Sequence, residues 1–544
     1  MNPALAAANF RKVLAQALPR ILTQACRDPN SPSFGCFDRN FWHYRMRDFS
    51  SIILQQGGYT ALRASEAVPD FLPGCFAREL AAGSAKFWNR RAVMHGAFEE
   101  YYPWEQGYPP VAFSTLAVAK LVAEGVVDKD AVRPGMKRAA RQLLARFEDK
   151  ATNQQVAGLA ALAWIRKSYP ESVPEAGFAR QKAKTLAKQH EEGWFWEYDG
   201  PDAGYLSVTM DCLWDLWDAT GDPDFRDSCN RALAFLDTAV GKPGCGLGML
   251  NARNTDYVVP YGIARYLNDG APEQRRTAGR LIDALYSGAG EAAHFFAAVD
   301  DRYWCHYIGH SVARAVAQFD KAAARSPAET LPPESGRAAA DVFLPGCGYA
   351  FRRLPDETLL TVAANKGGCL RLSKHGKVLA ADFGWVVKTR EKQFVSHWWS
   401  TDWKTKRTAG GYEISGRLAP HREMESTPFK HFGLRVVSYL FGKSVIGLLK
   451  KNLIFKKTES PYGFKRVVAV GEDGSVLVDD SISGLTGAES VLPAPRASKR
   501  HVASADSFHA EDAALIADGV SFSRETHSGG GTFRAKTKVA FENP

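Results

Sequence analysis

Between about residues 110 and 320, apolar positions recur at helical spacing. Leu206, Met210, Leu213 and Trp217 step by 4, 3 and 4, and Val156, Leu159 and Ala163 step by 3 and 4, which keeps each set on one helix face. Breaks containing Gly, Pro and Asp, such as ATGDP and VGKPG, separate the segments. The pattern predicts a run of antiparallel helical hairpins with helices of about 12–16 residues. Hairpins in series either close into an α/α toroid or stack as a solenoid, and no repeat is clean enough to choose. The N-terminal stretch carries Arg11, Lys12 and Arg20 among its apolar positions. It reads as one more amphipathic helix and not as a secretory signal.

Residues 321–341, KAAARSPAETLPPESGRAAAD, are rich in Pro, Ala, Ser and Glu and read as a linker. Beyond them the period changes. Runs such as TLLTVAA, CLRLS, KVLAADFGWVV, FKRVVAV and SVLVDDSI alternate in polarity or are β-branched, the signature of antiparallel strands in a sandwich. The expected domains are a helical one over 1–325, a linker over 326–341 and an antiparallel β-sandwich over 342–544. No uncharged run is long enough to span a bilayer; the closest, 432–455, is broken by Arg435, Lys443, Lys450 and Lys451.

Charge changes this picture most. The 544 residues carry 69 Lys+Arg and 59 Asp+Glu, a net +10. From Met1 to Gly336 the balance is 38 to 38, so the excess lies beyond it, chiefly over 388–466, where 17 basic and 6 acidic residues give +11. A local basic block points to a polyanionic ligand or an anionic surface. Nucleic acid is excluded as the expected partner, because no helix-turn-helix, RNP-type or zinc-finger spacing occurs. Nine scattered cysteines without a CxxC pair indicate reduced thiols and a cytoplasmic setting, with peripheral contact at the inner membrane as a second reading. The segment SVIGLLKKNLIFKK is basic and amphipathic and would lie on an anionic leaflet; a basic turn between strands explains the same residues.

Four helical-half segments concentrate polar and aromatic residues. FEEYYPWEQGYP (98–109) sets Glu99, Glu100, Tyr101, Tyr102, Trp104 and Glu105 before a helix, a composition suited to stacking on sugar faces and binding hydroxyls, or to packing on that helix. Asn153 and Gln154 open another helix; an Asn there is either an N-cap or a donor to a substrate carboxylate. EGWFWEYDGPDAGYLS (192–207) crowds Trp194, Trp196, Glu197, Asp202 and Tyr205 among three glycines, where a phenol beside a cation can act as general acid or base. RYWCHYIGH (302–310) places His306 and His310 four apart; the HExxH glutamate is missing, so a zinc pair is the minority reading. Arg253, Asp256 and Tyr257 form a weaker cluster of the same kind.

These segments, in this order and followed by a β-sandwich, resemble the heparinase II/III-like polysaccharide lyases, which include alginate lyases. The resemblance implies an α/α toroid as the helical half. It implies a lyase acting on an acidic, uronate-containing polysaccharide by β-elimination. Asn153 would neutralise the uronate carboxylate, Tyr205 would match the catalytic tyrosine, and His306 or His310 a cleft histidine. Gln154, Lys366 and Trp398 would add substrate contacts. Where many members carry an HxH element, this chain has Asn365-Lys366-Gly367. Asp382 and His397 resemble the two later zinc ligands, so with a ligand gone no metal or other cofactor is expected. A uronyl C5-epimerase, which shares the proton abstraction, and a non-catalytic polysaccharide-binding or assembly protein are the rival readings.

Overall fold

The computed structural model describes residues 1–541 apart from 95–96, 242–246, 256, 287–295, 297–298, 326–340, 355–356, 375–376, 422–424, 443, 445–459, 498–515 and 517–518. The linker expected over 326–341 therefore lies, except for Asp341, outside the described residues, as do Asp256 and nearly all of SVIGLLKKNLIFKK.

Twelve of the described helices alternate between an outer and an inner layer. The outer ones are α1 (Pro3–Gln24), α3 (Gly74–Val93), α5 (Lys129–Ala145), α7 (Glu175–Leu186), α9 (Pro223–Ala239) and α11 (Pro272–Tyr286). The inner ones are α2 (Gln56–Ala67), α4 (Tyr108–Ala123), α6 (Thr152–Ser168), α8 (Ala203–Thr220), the short α10 (Tyr261–Ala264) and α12 (Tyr307–Ala323). Each inner helix packs on the next, and α12 returns to pack on α2, so the hairpins close into a toroid and the solenoid alternative falls away. Sequence explains the layers. Helix α4, YPPVAFSTLAVAKLVA, is apolar on almost every side and is buried almost throughout. Helix α5 buries only the stripe Val132, Gly135, Met136, Ala139, Ala140 and Leu143, as an amphipathic surface helix should.

The C-terminal half is antiparallel β, as its alternation predicts. Strands β1 (Val342–Leu344), β2 (Tyr349–Arg353), β3 (Leu359–Ala363), β4 (Cys369–Lys374) and β5 (Lys377–Asp382) form a meander in that order. A small sheet holds β6 (Trp385–Lys388), β7 (Gln393–Val395), β10 (Ala419–His421) and β13 (Ser490–Pro493). The third sheet runs β14 (Val520–Gly529), β15 (Thr532–Phe541), β12 (Val476–Ser483), β11 (Gly463–Val470), β9 (Gly411–Arg417) and β8 (Lys404–Thr408). The meander is covered on both faces. Tyr349 and Phe351 join the toroid's core while Ala350 between them joins the sandwich core, and Leu359 and Leu360 divide the same way. A strand buried on two faces must be apolar at successive positions, which is why TLLTVAA reads as a run. A helix, α13 (Pro428–Phe441), stands outside the sheets.

The basic block is not one patch. Lys404, Lys406 and Arg407 lie on the edge strand β8, where cations discourage edge-to-edge pairing. Arg466 is fully buried between Asp382 and Asp480, and Lys450, Lys451, Lys456 and Lys457 lie outside the described residues. Trp403 joins the sandwich core.

Candidate functional site

Because outer and inner helices alternate, all the connections that lead into inner helices emerge at one rim of the toroid. The four segments singled out above are such connections. The β-domain sits on that rim. Glu192 accepts from the backbone of Gly346 and Cys347 at 2.7 and 3.0 Å, and Tyr349 Oη donates to the Leu250 carbonyl at 3.1 Å. Asn254 Nδ2 donates to the Ala497 carbonyl at 3.0 Å. Trp399 lies so close over Gly200 that a Cβ there would come within 2.6 Å of its ring.

Under this cover Tyr205 stands in the first turn of α8. Its capping residue is Asp202, which accepts from the Tyr205 and Arg253 backbones at 3.1 and 3.2 Å and from Thr255 Oγ1. Asp202, expected to meet substrate, is thus committed to holding α8 and the 250s loop together. The Arg253 guanidinium stacks between the rings of Tyr198 and Tyr205, at 4.2 and 4.5 Å, within cation–π range. The Tyr205 hydroxyl is buried and has no hydrogen-bond partner among the described residues. Burial drives its pKa well above the ordinary value, opposed by Arg253, so the phenol is protonated at neutral pH.

Asn153 is the second residue of α6 and not its cap, which is Ala151. Its backbone and side-chain amides donate to the two oxygens of Glu197 at 2.6 and 2.8 Å. Burial pushes Glu197 up to about 8, against the pull of Arg253 and Asn153; at pH 7 it is mostly the neutral acid. Gln154 is half-buried with its Oε1 unpartnered among the described residues.

The loop before α4 borders the same space. Glu105 Oε2 accepts from the Tyr101 and Tyr102 backbones, both at 3.1 Å, and Glu99 accepts from Trp104 and Arg91 at 3.0 and 3.1 Å. These carboxylates hold their own loop, Glu105 through one of its two oxygens. Burial, reinforced by Glu100, lifts Glu105 to about 8. Glu100 faces Arg302 at 3.8 Å, and burial raises it to about 6 against that cation. Tyr101 is exposed, Tyr102 half-buried, and Trp104 packs edge-on against Tyr439 of α13.

His306 caps α12, with Tyr303 and Tyr307 rings 4.9 and 6.0 Å away. Its Nε2 has no partner among the described residues, and burial, then Arg302, holds it neutral. Tyr307 Oη meets Tyr257 Oη at 2.6 Å, and the Tyr257 ring lies 6.2 Å from that of Tyr205. His310, a turn further along, faces the toroid axis, 3.4 Å from Gln56 Oε1. It lines a cavity of about 10 Å³ with Lys120, Asp211 and Asp215, where Lys120 and Arg314 hold Asp215 at 2.5 and 2.6 Å.

Two expected substrate contacts are placed elsewhere. Lys366 is fully buried, and its ammonium donates to the Met249 and Asn251 carbonyls, both at 2.6 Å, and to Asn254 Oδ1; it clamps the two domains and is not free for a substrate carboxylate. Trp194 is buried in a stack with His190, its Nε1 on Glu192. The weak metal candidates are met by cations: Asp382 binds Arg466 and Arg524 at 2.8 and 2.6 Å, and His397 is held neutral, near 3, by burial and then Lys366. Trp398 is half-buried beside Trp399 at the junction.

The residues brought together are therefore Asn153, Glu197, Arg253, Tyr205, Tyr257 and His306, with Glu100 and Tyr101 alongside. Sequence reasoning passed over Tyr198, Arg302 and Tyr303 as individual candidates. A backbone signal marks the place: Phe98, Trp104, Gln106, Tyr198, Asp199 and Asn254 have φ between 50° and 75°. For residues other than glycine this conformation is costly and clusters at functional sites.

No family model and no curated protein matches the chain. Solved structures similar to it include the chondroitin AC lyase of Streptomyces coelicolor A3 in complex with chondroitin sulphate, at 12% identity and TM-score 0.49, covering 98% of this chain and 77% of that one. A tyrosine-to-alanine mutant of that lyase is similar at 12% identity and TM-score 0.46, covering 99% and 78%. Both are structures of a polysaccharide lyase other than a heparinase II/III.

Proposed function

We propose that this protein is a polysaccharide-lyase-like enzyme that cleaves an acidic, uronate-containing polysaccharide by β-elimination. The observation that carries the reading is the Tyr205 phenol, buried, protonated and unpartnered, with Arg253 on its ring and the Asn153–Glu197 pair beside it. Buried polar atoms without partners are rare, and one so placed is available to a substrate.

The chemistry sets the demands. The C5 proton of a uronate is weakly acidic because its removal builds negative charge next to a carboxylate, so donors must first neutralise that carboxylate. Asn153 keeps a second amide proton, and neutral Glu197 is an acid that can donate. The inner-helix N-termini gathered at the rim add positive potential. His306, neutral with its Nε2 open, takes the C5 proton; the C4–O4 bond breaks, C4=C5 forms, and Tyr205 protonates the departing O4. Substrate enters past Tyr101, Tyr102 and Trp398 at the edge of the cover.

Incubation with a panel of acidic polysaccharides tests this. The expected result is rising ultraviolet absorbance from a 4,5-unsaturated uronate, slowed about a thousandfold in Tyr205→Phe. Deuterium entering C5 without absorbance identifies an epimerase instead, and polymer binding with neither signal identifies a non-catalytic binder.

A further inference from the structure

Helix α13 is built inside out. Phe429, Phe432, Val436 and Leu440 step by 3, 4 and 4 and so form one stripe, yet they are 89%, 70%, 43% and 64% exposed. On the opposite side Ser438 is completely buried. A surface helix ordinarily turns its apolar stripe inward, and an exposed apolar face of this kind marks an interaction site. Its placement is anchored. Arg435 makes two bonds to Asp48 of the toroid at 2.9 and 3.2 Å, and Tyr439 packs on Trp104. The anchor brings the stripe beside the 43–48 loop, where Tyr44 and Met46 are 54% and 75% exposed.

Charge indicates what covers the face. From Thr427 to Thr458 the sequence has seven Lys and Arg and no Asp or Glu, of which Lys430 and Arg435 lie among the described residues. Lys430 and His431 are exposed on the helix itself. A second copy of the chain would bring two such cationic stretches together, and an acidic polysaccharide offers nothing to cover phenylalanine and leucine. An anionic lipid surface satisfies both requirements, the acyl boundary taking the apolar stripe and the headgroups the cations. No described helix is long and apolar enough to cross a membrane, and fourteen residues rising about 1.5 Å each lie along a surface.

We infer that α13, with the adjoining 43–48 loop, docks this protein on an anionic membrane surface through Phe429, Phe432, Val436 and Leu440. The inference is independent of the chemistry proposed above.

Flotation of the full chain with vesicles of phosphatidylcholine alone, and of phosphatidylcholine mixed with phosphatidylglycerol, is the test. The expected result is at least about tenfold more protein on the mixed vesicles, reduced by salt. A Phe429→Ser/Phe432→Ser variant, with unchanged circular dichroism and thermal midpoint, should lose about tenfold of that binding. Absence of binding to the mixed vesicles, or equal binding by the variant, overturns the inference. So does self-association that the variant abolishes without vesicle binding, which assigns the face to a second copy. Variant-sensitive binding to an acidic polysaccharide without vesicle binding assigns it to the polymer.

Discussion

At the toroid axis, Asp215 accepts from Lys120 and Arg314, and all three side chains are buried. At the rim, Tyr205 Oη and His306 Nε2 are buried as deeply, and neither has a partner among the described residues. Burial alone would raise Asp215; the two cations outweigh it and hold the carboxyl below its usual range. Glu197 has a similar burial and weaker compensation, and it rises to about 8. Both clusters are polar, aromatic-lined and enclosed, so enclosure does not separate structure from chemistry. Pairing of the central group does: Asp215, held by two cations, ties the ring of helices together, whereas the Tyr205 hydroxyl is open to a ligand, even though Asp211 Oδ2 and His310 Nδ1 at the axial cavity also lack partners among the described residues.

Substitutions that cross this boundary should behave in opposite ways. The largest stability loss is expected for Asp215→Asn, which leaves two buried cations with one neutral partner; about 3–5 kcal/mol in denaturant unfolding. A loss under about 1 kcal/mol would place the axial cluster outside the structural class. Lys366→Met comes next. It strands the acceptors of the interdomain clamp, and about 1–3 kcal/mol should be lost, with a rise in KM larger than any fall in kcat. An unchanged KM would show that the clamp does not shape the cleft.

A third difference shows as a slope. Glu197 has an ordinary pKa of 4.5 and a folded one of about 8, so in that window the native state keeps a proton that the unfolded state releases. Its folded-state pKa is raised, so its contribution is complete below the unfolded pKa and fades as pH rises toward 8. Glu197→Gln should flatten stability against pH across this window, whatever its loss at pH 5. Parallel profiles for the two proteins would mean that Glu197 is ionised in the fold.

Much of the architecture was legible from the chain because its cause is periodic. Leu206, Met210, Leu213 and Trp217 had to share a face, and TLLTVAA could be apolar throughout only if both faces of its sheet were covered. Closure of the ring was not legible in the periodicity, since the packing of α12 on α2 depends on how every hairpin turns. At the site, segments were easier to read than roles. Asp202, Glu105 and Lys366 look like substrate ligands in sequence, and their geometry makes them an N-cap, a loop tie and a domain clamp. What decided each was a backbone partner distant in sequence or hidden in a loop's own curl, such as Met249 for Lys366. The exposed stripe of α13 shows the converse: its period is plain in sequence, and only the fold reveals that it faces outward.

Tyr205→Phe bears most directly on the central claim, measured for stability and turnover on the same preparation. If the hydroxyl is a reacting group buried without a partner among the described residues, its removal should slow formation of the unsaturated uronate about a thousandfold. It should also leave the protein as stable as before or more so, by up to about 1 kcal/mol. Turnover within a few-fold of the parent, or a loss of stability above about 1 kcal/mol, would show that the phenol serves the fold and that the rim is not the site proposed.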